Sequence, residues 1–208
     1  MMLPSGACRE IIVKSVPMVA DYLIPLLWGM NSEMQSTLYY NADMDVTPVI
    51  PGAPVIHIRG GPEPQAENAV IRSLGRLRFG LFGSQAYLDR MGEPADLGDL
   101  KRFAFIAHDR QRDRAPWEKW LRSTIPEAHY YLRTDCEIAH RIAVHSGLCL
   151  GFLPASALLH YSDLVEVPTS LEGWEAPMWM VVDREALRFP CLAQAAEKIG
   201  ERLFKVWG

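Results

Sequence analysis

The chain predicts an α/β fold, and three observations carry that prediction. Apolar runs of strand length alternate with segments of helical period along the 208 residues. Several apolar runs lead directly into a helix start marked by Ser, Thr or Pro. Strands that alternate with helices in this way form a mostly parallel sheet covered on both faces.

The elements follow in order. Arg9–Val16 is rich in β-branched residues and predicts a strand. Pro17 suits the first turn of a helix, and Met18–Met30 continues it with Val19, Tyr22, Leu23, Leu26 and Leu27 on one apolar face. Pro25 lies inside that pattern and should kink or split the helix, because it lacks an N–H and clashes with the preceding turn. Ser36–Asn41 predicts a second strand, and the Pro-, Asp- and Gly-rich stretch Asn41–Pro54 a loop. Val55–Arg59 is a third strand, and Ala69–Phe82 holds one or two more. Ser84 is a good N-cap for a helix over Gln85–Met91, which Gly92 ends. A helical turn near Leu97–Arg102 leads to a strand over Phe103–His108, and Pro116 opens a helix over Trp117–Ser123. Tyr130–Leu132 is a short strand. Thr134-x-x-Glu137 has the form of a capping box and opens a helix over Asp135–Ser146, which Gly147 ends. Leu148–Phe152 is a strand, Pro154 opens a helix to about His160, and Leu164–Val167 and Met178–Val182 are strands. A last helix over Pro190–Val206 places Leu192, Ala195, Ala196, Ile199 and Leu203 on one side.

Composition narrows the function. Hydrophobic residues make up 49% and charged residues 22%, an ordinary globular balance. The formal net charge of −4 argues against a nucleic-acid grip by this chain, which normally requires a basic face. The basic excess at Arg110–Arg114 is interleaved with Asp109 and Asp113 and reads as a solvated loop. Cys8, Cys136, Cys149 and Cys191 form no CxxC pair, as befits reduced thiols in the cytoplasm. Met1–Arg9 lacks the apolar core of a signal peptide. Ile142–Leu159 is broken by His145, Ser146, Gly147 and Pro154, so it predicts separate elements and no membrane span.

Recognisable catalytic spacings are missing. The chain has no GxSxG, HExxH or GxxxxGK[ST], and the glycines of Gly75–Gly83 fit no dinucleotide fingerprint. Cys136 and His140 lie four apart on one predicted helix, but a zinc site needs three or four ligands and no further pair completes the set. The expectation is therefore a non-enzymatic protein with neither metal nor cofactor.

Binding chemistry is better supported. In open α/β sheets, ligands sit beyond the carboxyl ends of strands, where helix N-termini offer free N–H groups to anions. Four such junctions occur, at Ser15-Val16-Pro17, Gly83-Ser84-Gln85, Thr134-Asp135 and Leu153-Pro154. One helix N-terminus contributes ~0.3–1 kcal/mol toward an anion when exposed, and up to ~2 kcal/mol when partly buried. Singly, Ser84 and Thr134 are better explained as helix caps, and only as a group do the junctions favour a binding cleft.

Three stretches together resemble the effector-binding domain of LysR-type transcriptional regulators. The first is Gly83, Ser84, Tyr87, Leu88, Gly92 and Pro94 with Asp99-Leu100. The second is Arg133-Thr134-Asp135 followed by the run from Ala143 to Pro154, and the third is Met178–Arg184. The resemblance spans residues 9–204. It implies two Rossmann-like subdomains joined by two crossing strands, like a type 2 periplasmic binding protein. The expected first subdomain is 9–79 plus 181–208, and the second is 80–180.

The resemblance further implies a small-molecule effector, such as a carboxylate, in the crevice between subdomains. The matching contact positions are Ser15, Val16, Pro17, Met18, Ser84, His108, Thr134 and Phe152. His108 is a suitable donor or acceptor there, or simply a surface histidine at a strand end. Homodimers or tetramers would form through the Met18–Met30 helix and the Ser36–Asn41 strand. DNA would be engaged only by a winged helix-turn-helix domain N-terminal to this chain, which begins almost at the first strand of the sensor. Val55 and His57 depart from the Asp-x-Ala that the family commonly carries, which changes the surroundings of the third strand. The alternative is a periplasmic-type solute-binding protein, which predicts an export signal.

Overall fold

A computed structural model describes residues 10–31, 34, 36–108, 115–169 and 173–208. The basic stretch at Arg110–Arg114 lies outside the described residues. The chain divides into two compact units, one running through Leu77 and resuming at Pro177–Gly208, the other Arg78–Ala176. Two strands run through the boundaries between them, β4 (Ala69–Ser84) and β9 (Trp174–Asp183).

In the first unit, β1 (Glu10–Ser15) pairs in parallel with both β2 (Thr37–Ala42) and β3 (Val55–Gly60). β3 then pairs antiparallel with β9, Ile56 facing Val182 and Gly60 facing Met178. The sheet is thus mixed, where the alternation of elements predicted a mostly parallel one. A 3-10 turn over Pro17–Val19 leads into helix α1 (Ala20–Asn31), which runs continuously through Pro25. The proline is exposed, so its ring meets solvent, and Leu23, Leu27 and Met30 of the opposite face are buried. Helix α5 (Pro190–Trp207) buries Leu192, Ala195, Ala196, Ile199 and Leu203, the predicted stripe, and Trp207 meets Tyr22 edge-on at 5.3 Å. Fully burying a leucine or isoleucine of this stripe contributes roughly 1.5–3 kcal/mol before chain entropy is subtracted. Residues 43–54 carry no helix or strand, as their composition predicts.

The second unit starts with helix α2 (Gln85–Met91) at the end of β4. A 3-10 turn over Asp99–Arg102 follows, then β5 (Phe105–His108), α3 (Pro116–Thr124) and β6 (Tyr130–Thr134). Helix α4 (Glu137–His145), β7 (Gly151–Pro154), a 3-10 turn over Ala155–Leu159 and β8 (Leu164–Val167) complete it. β5 and β6 pair in parallel, whereas β7 and β8 both pair antiparallel with β4. Phe82, Ile106, Val144, Cys149, Leu153 and Leu164 form the core. Phe79 stacks on Trp117 with centroids 3.9 Å apart.

Candidate functional site

Three of the four predicted junctions hold a candidate residue at a helix or turn start; at the fourth, Leu153-Pro154, only a 3-10 turn over Ala155–Leu159 follows, with no side-chain cap, where the sequence predicts a helix to about His160. After β1, the Ser15 hydroxyl donates to the Val16 carbonyl at 3.0 Å and lies 2.8 Å from the Tyr40 hydroxyl. Ser15 is buried at this strand end, while Val16, Pro17 and Met18 are half-buried at the entrance to the 3-10 turn. These four residues belong to the first unit.

Ser84 caps α2: its Oγ accepts from the Tyr87 N–H at 3.2 Å, and it is buried. Its hydroxyl faces the end of α4. That helix closes in a Schellman motif, with Gly147 N–H on the Val144 carbonyl and Leu148 N–H on the Ala143 carbonyl. Gly147 has φ 69°, and a Cβ there would lie 2.9 Å from Ser84 Oγ. Arg90 of α2 donates to the Gly147 carbonyl at 2.8 Å, tying the two helix ends together.

At the β6–α4 junction the capping box does not form. Thr134 Oγ1 accepts from the Cys136 N–H at 3.0 Å, and α4 begins at Glu137 with no side-chain cap. Glu137 is drawn inward to His108 at the end of β5, whose Nε2 lies 3.2 Å from Glu137 Oε2. The other ring nitrogen, Nδ1, lies 2.8 Å from Glu118 Oε1 on α3, and Glu118 Oε2 also accepts the His108 backbone N–H at 3.4 Å. All three residues are buried. Burial alone would lower the His108 pKa, but the hydrogen bonds to Glu118 and Glu137 outweigh it and raise it to about 10. Burial also pushes Glu137 upward, and the bond from His108 together with the neighbouring positive charges more than offsets that, leaving its carboxyl below the ordinary range. Both ring nitrogens of His108 therefore donate to carboxylates at neutral pH.

His140 of α4 stacks on His108 with ring centroids 4.7 Å apart. It is fully buried, and neither of its ring nitrogens has a hydrogen-bond partner. Burial, then the charge on His108, lower its pKa to about 4. Gly151 makes room for the ring, since a Cβ at that position would lie 2.9 Å from His140 Nε2. Cys136 is exposed, so it shares no site with His140. Among the described residues no group of three or more His, Cys, Asp or Glu side chains is arranged to hold a metal ion.

Phe152 is buried on β7 and packs edge-on against Trp120 and Trp174, with centroids 5.7 Å away in each case. In the second unit, then, Ser84, His108 and Phe152 lie beneath the surface, and Thr134 is half-buried. Sequence reasoning missed Glu118 and Glu137 as partners of His108. The available signal was an acidic residue in the first turn of two successive helices, which equally serves the helix dipole. Two surface hollows of the second unit, about 320 and 380 Å³, are lined by other residues. Arg78, Glu166 and Trp174 are among those of the first, and Arg102, Tyr130 and Tyr131 among those of the second.

Comparison with known proteins points one way. A family model described as the LysR substrate binding domain matches residues 56–203. No curated protein matches the chain in sequence. Among solved structures, the AmpR effector binding domain from Citrobacter freundii superposes with a TM-score of 0.72 at 17% identity, covering 95% of this chain and 99% of that one. A cysteine-to-serine mutant of the OxyR2 regulatory domain from Vibrio vulnificus gives 0.69 at 18%, covering 97% and 98%. The regulatory domain of AphB in Vibrio vulnificus gives 0.67 at 14%, covering 90% and 98%. At such identities the likeness speaks for the fold, a type 2 periplasmic-binding-protein-like arrangement of two subdomains and two crossing strands.

Proposed function

Because the chain belongs to the LysR substrate-binding domain family, we propose that it is the effector-sensing part of a cytoplasmic transcriptional regulator. It takes a small, anionic ligand and thereby controls DNA binding by an N-terminal domain. It is not an enzyme. The family match over 148 residues, 56–203, carries this proposal. Full-length AphB from Vibrio cholerae, described as a virulence activator and a member of the LTTR family, resembles the chain over 69% of its own length. That leaves room in such a protein for a DNA-binding part. Among the described residues no helix is long and apolar enough to cross a membrane.

The proposed contacts divide by exposure. Val16, Pro17, Met18 and Thr134 are the direct ones, because their side chains are only half-buried. Ser15, Ser84, His108 and Phe152 position them from behind: Ser84 by capping α2, His108 by holding the first turn of α4 through Glu137. An effector switches such a protein only through different affinities for two arrangements. Self-association runs through α1 and β2, where Ile24, Trp28 and Tyr39 are exposed.

A thermal-shift screen of small organic acids tests this proposal. One chemical class should raise Tm, and Thr134→Val should weaken that response while leaving the ligand-free Tm within a few degrees. Absence of any stabilising acid, or an undiminished response in the variant, counts against a carboxylate effector held there. Joined to its DNA-binding domain, the same acid should alter operator affinity, and no alteration would favour a simple solute-binding role.

A further inference from the structure

Lys14, His57 and Arg59 form a row of basic side chains on one face of the sheet in the first unit. β1 and β3 pair with Lys14 opposite His57, so the two project from the same face. Arg59, two residues further along β3, projects there too. The neighbouring strands extend the face, Asn41 lying opposite Lys14 on β2, and Val181 and Trp179 lying opposite His57 and Arg59 on β9. Residues 43–54, which have no regular structure, are drawn over the row by a hydrogen bond from Arg59 Nη2 to the Thr47 carbonyl, 2.6 Å. His57 is only 4% exposed, and Lys14 and Arg59 are half-buried.

Among the described residues no carboxylate pairs with any of the three. Asp183 faces the same side, two residues along from Val181, but its Oδ1 accepts the Gly52 and Ala186 N–H groups. Asp43 and Asp45 of the covering segment are exposed, and Asp43 Oδ1 accepts the Asp45 N–H. Like charges placed side by side on a sheet are destabilising. The consequence is visible in His57, whose pKa burial, then Arg59, then Lys14 push down to about 4. The imidazole is therefore neutral at physiological pH, between two cations.

An oxyanion removes that repulsion. It meets the Lys14 ammonium, the guanidinium donors of Arg59 not used on Thr47, and a His57 ring that gains a proton as the negative charge arrives. We infer that the Lys14–His57–Arg59 row binds a small oxyanion, a carboxylate or a phosphate, within the first unit and separately from the proposed effector contacts. Proton uptake accompanies binding, so affinity rises as pH falls from the His57 pKa of the occupied site toward that of the empty one.

Ring-proton NMR of His57 near pH 6 tests this with inorganic phosphate and succinate in separate titrations, against sodium chloride at matched ionic strength. The expected result is a saturable shift with one of the two probes, absent with chloride, and a rise of the His57 pKa by about one unit or more, a tenfold change in proton affinity. Which probe saturates identifies the anion. Lys14→Gln should weaken binding about tenfold and Lys14→Arg should retain it. Equal shifts with chloride, no shift with either probe, or undiminished affinity in Lys14→Gln would overturn the inference. Thr134→Val should leave the titration unchanged, so failure of the effector proposal is separable from failure of this one.

Discussion

Nδ1 of His108 lies 2.8 Å from Oε1 of Glu118, a charge-assisted pair with little access to solvent, and the opposite ring nitrogen reaches Glu137. One protonated imidazole thus joins the end of β5 to the first turns of α3 and α4. The resemblance to regulator domains implies a ligand contact at His108; the residue is buried, with each ring nitrogen on a carboxylate.

Removing that imidazole should be costly. His108→Ala leaves two buried carboxylates facing each other without a cation, and breaking a buried pair costs about 3–5 kcal/mol. Wild-type His108 has a raised folded pKa, so its contribution is fully present below about pH 6.5 and is lost as pH rises through about 10. Urea unfolding of wild type and variant at pH 5, 7 and 9 checks this. The difference should narrow at high pH, and also at low pH as the carboxylates of the variant take up protons. A difference that is constant across this range would refute the pairing.

His140 should behave in the opposite sense. Its folded pKa of about 4 lies below the unfolded value, so the unfolded chain binds more protons between about pH 6.5 and 4. Stability therefore drops as the pH is lowered through that window, by up to ~1.4 kcal/mol per pH unit for this one group. His57, its pKa also lowered to about 4, contributes in the same sense. His140→Phe keeps a ring over the His108 cation and removes two unpartnered nitrogens. Unfolding of this variant should cost no less than in wild type at pH 7, with a shallower acid slope. An unchanged slope would show that His140 titrates normally.

The α2–α4 contact gives a steric test. Gly147→Ala forces a side chain onto a positive-φ residue and against Ser84 Oγ, and should destabilise by more than about 1 kcal/mol. Ser84→Ala removes a buried N-cap, at a cost of about 1 kcal/mol. Both meet the same hydroxyl, so the double variant should lose less than the sum. Chemical denaturation of the three variants measures the coupling, and strict additivity would show that the contact is absent in solution.

Self-association can be checked at Trp28, 81% exposed on α1. Trp28→Glu places a charge in the proposed α1/β2 interface and should lower the mass measured by light scattering, with Tm at low concentration nearly unchanged. Persistence of the wild-type oligomer would move the interface elsewhere.

Elements defined by short-range rules were legible from the sequence. Helix α2 extends over Gln85–Met91 as Ser84 and Gly92 indicate, since capping involves residues three or four apart. The apolar stripe of α5 was legible for the same reason. The Thr134-x-x-Glu137 box has the same local form but fails, because Glu137 reaches an imidazole 29 residues earlier in the chain. No local rule encodes that competition. β9 also starts four residues sooner than its apolar core suggests, at Trp174, whose ring packs on Phe152 and Trp120.

By itself the sequence determined the kinds of elements and their order, because hydrophobic period, caps and turn residues act within a few positions, and three of its motif stretches carried the resemblance to a family. Only the tertiary structure decided which charges meet. It gave His108 two carboxylates and His140 none, and it set Lys14 and His57 side by side through the register of β1 on β3. Coulombic interaction and desolvation depend on distance and burial in space, and neither is written in the separation of residues along the chain.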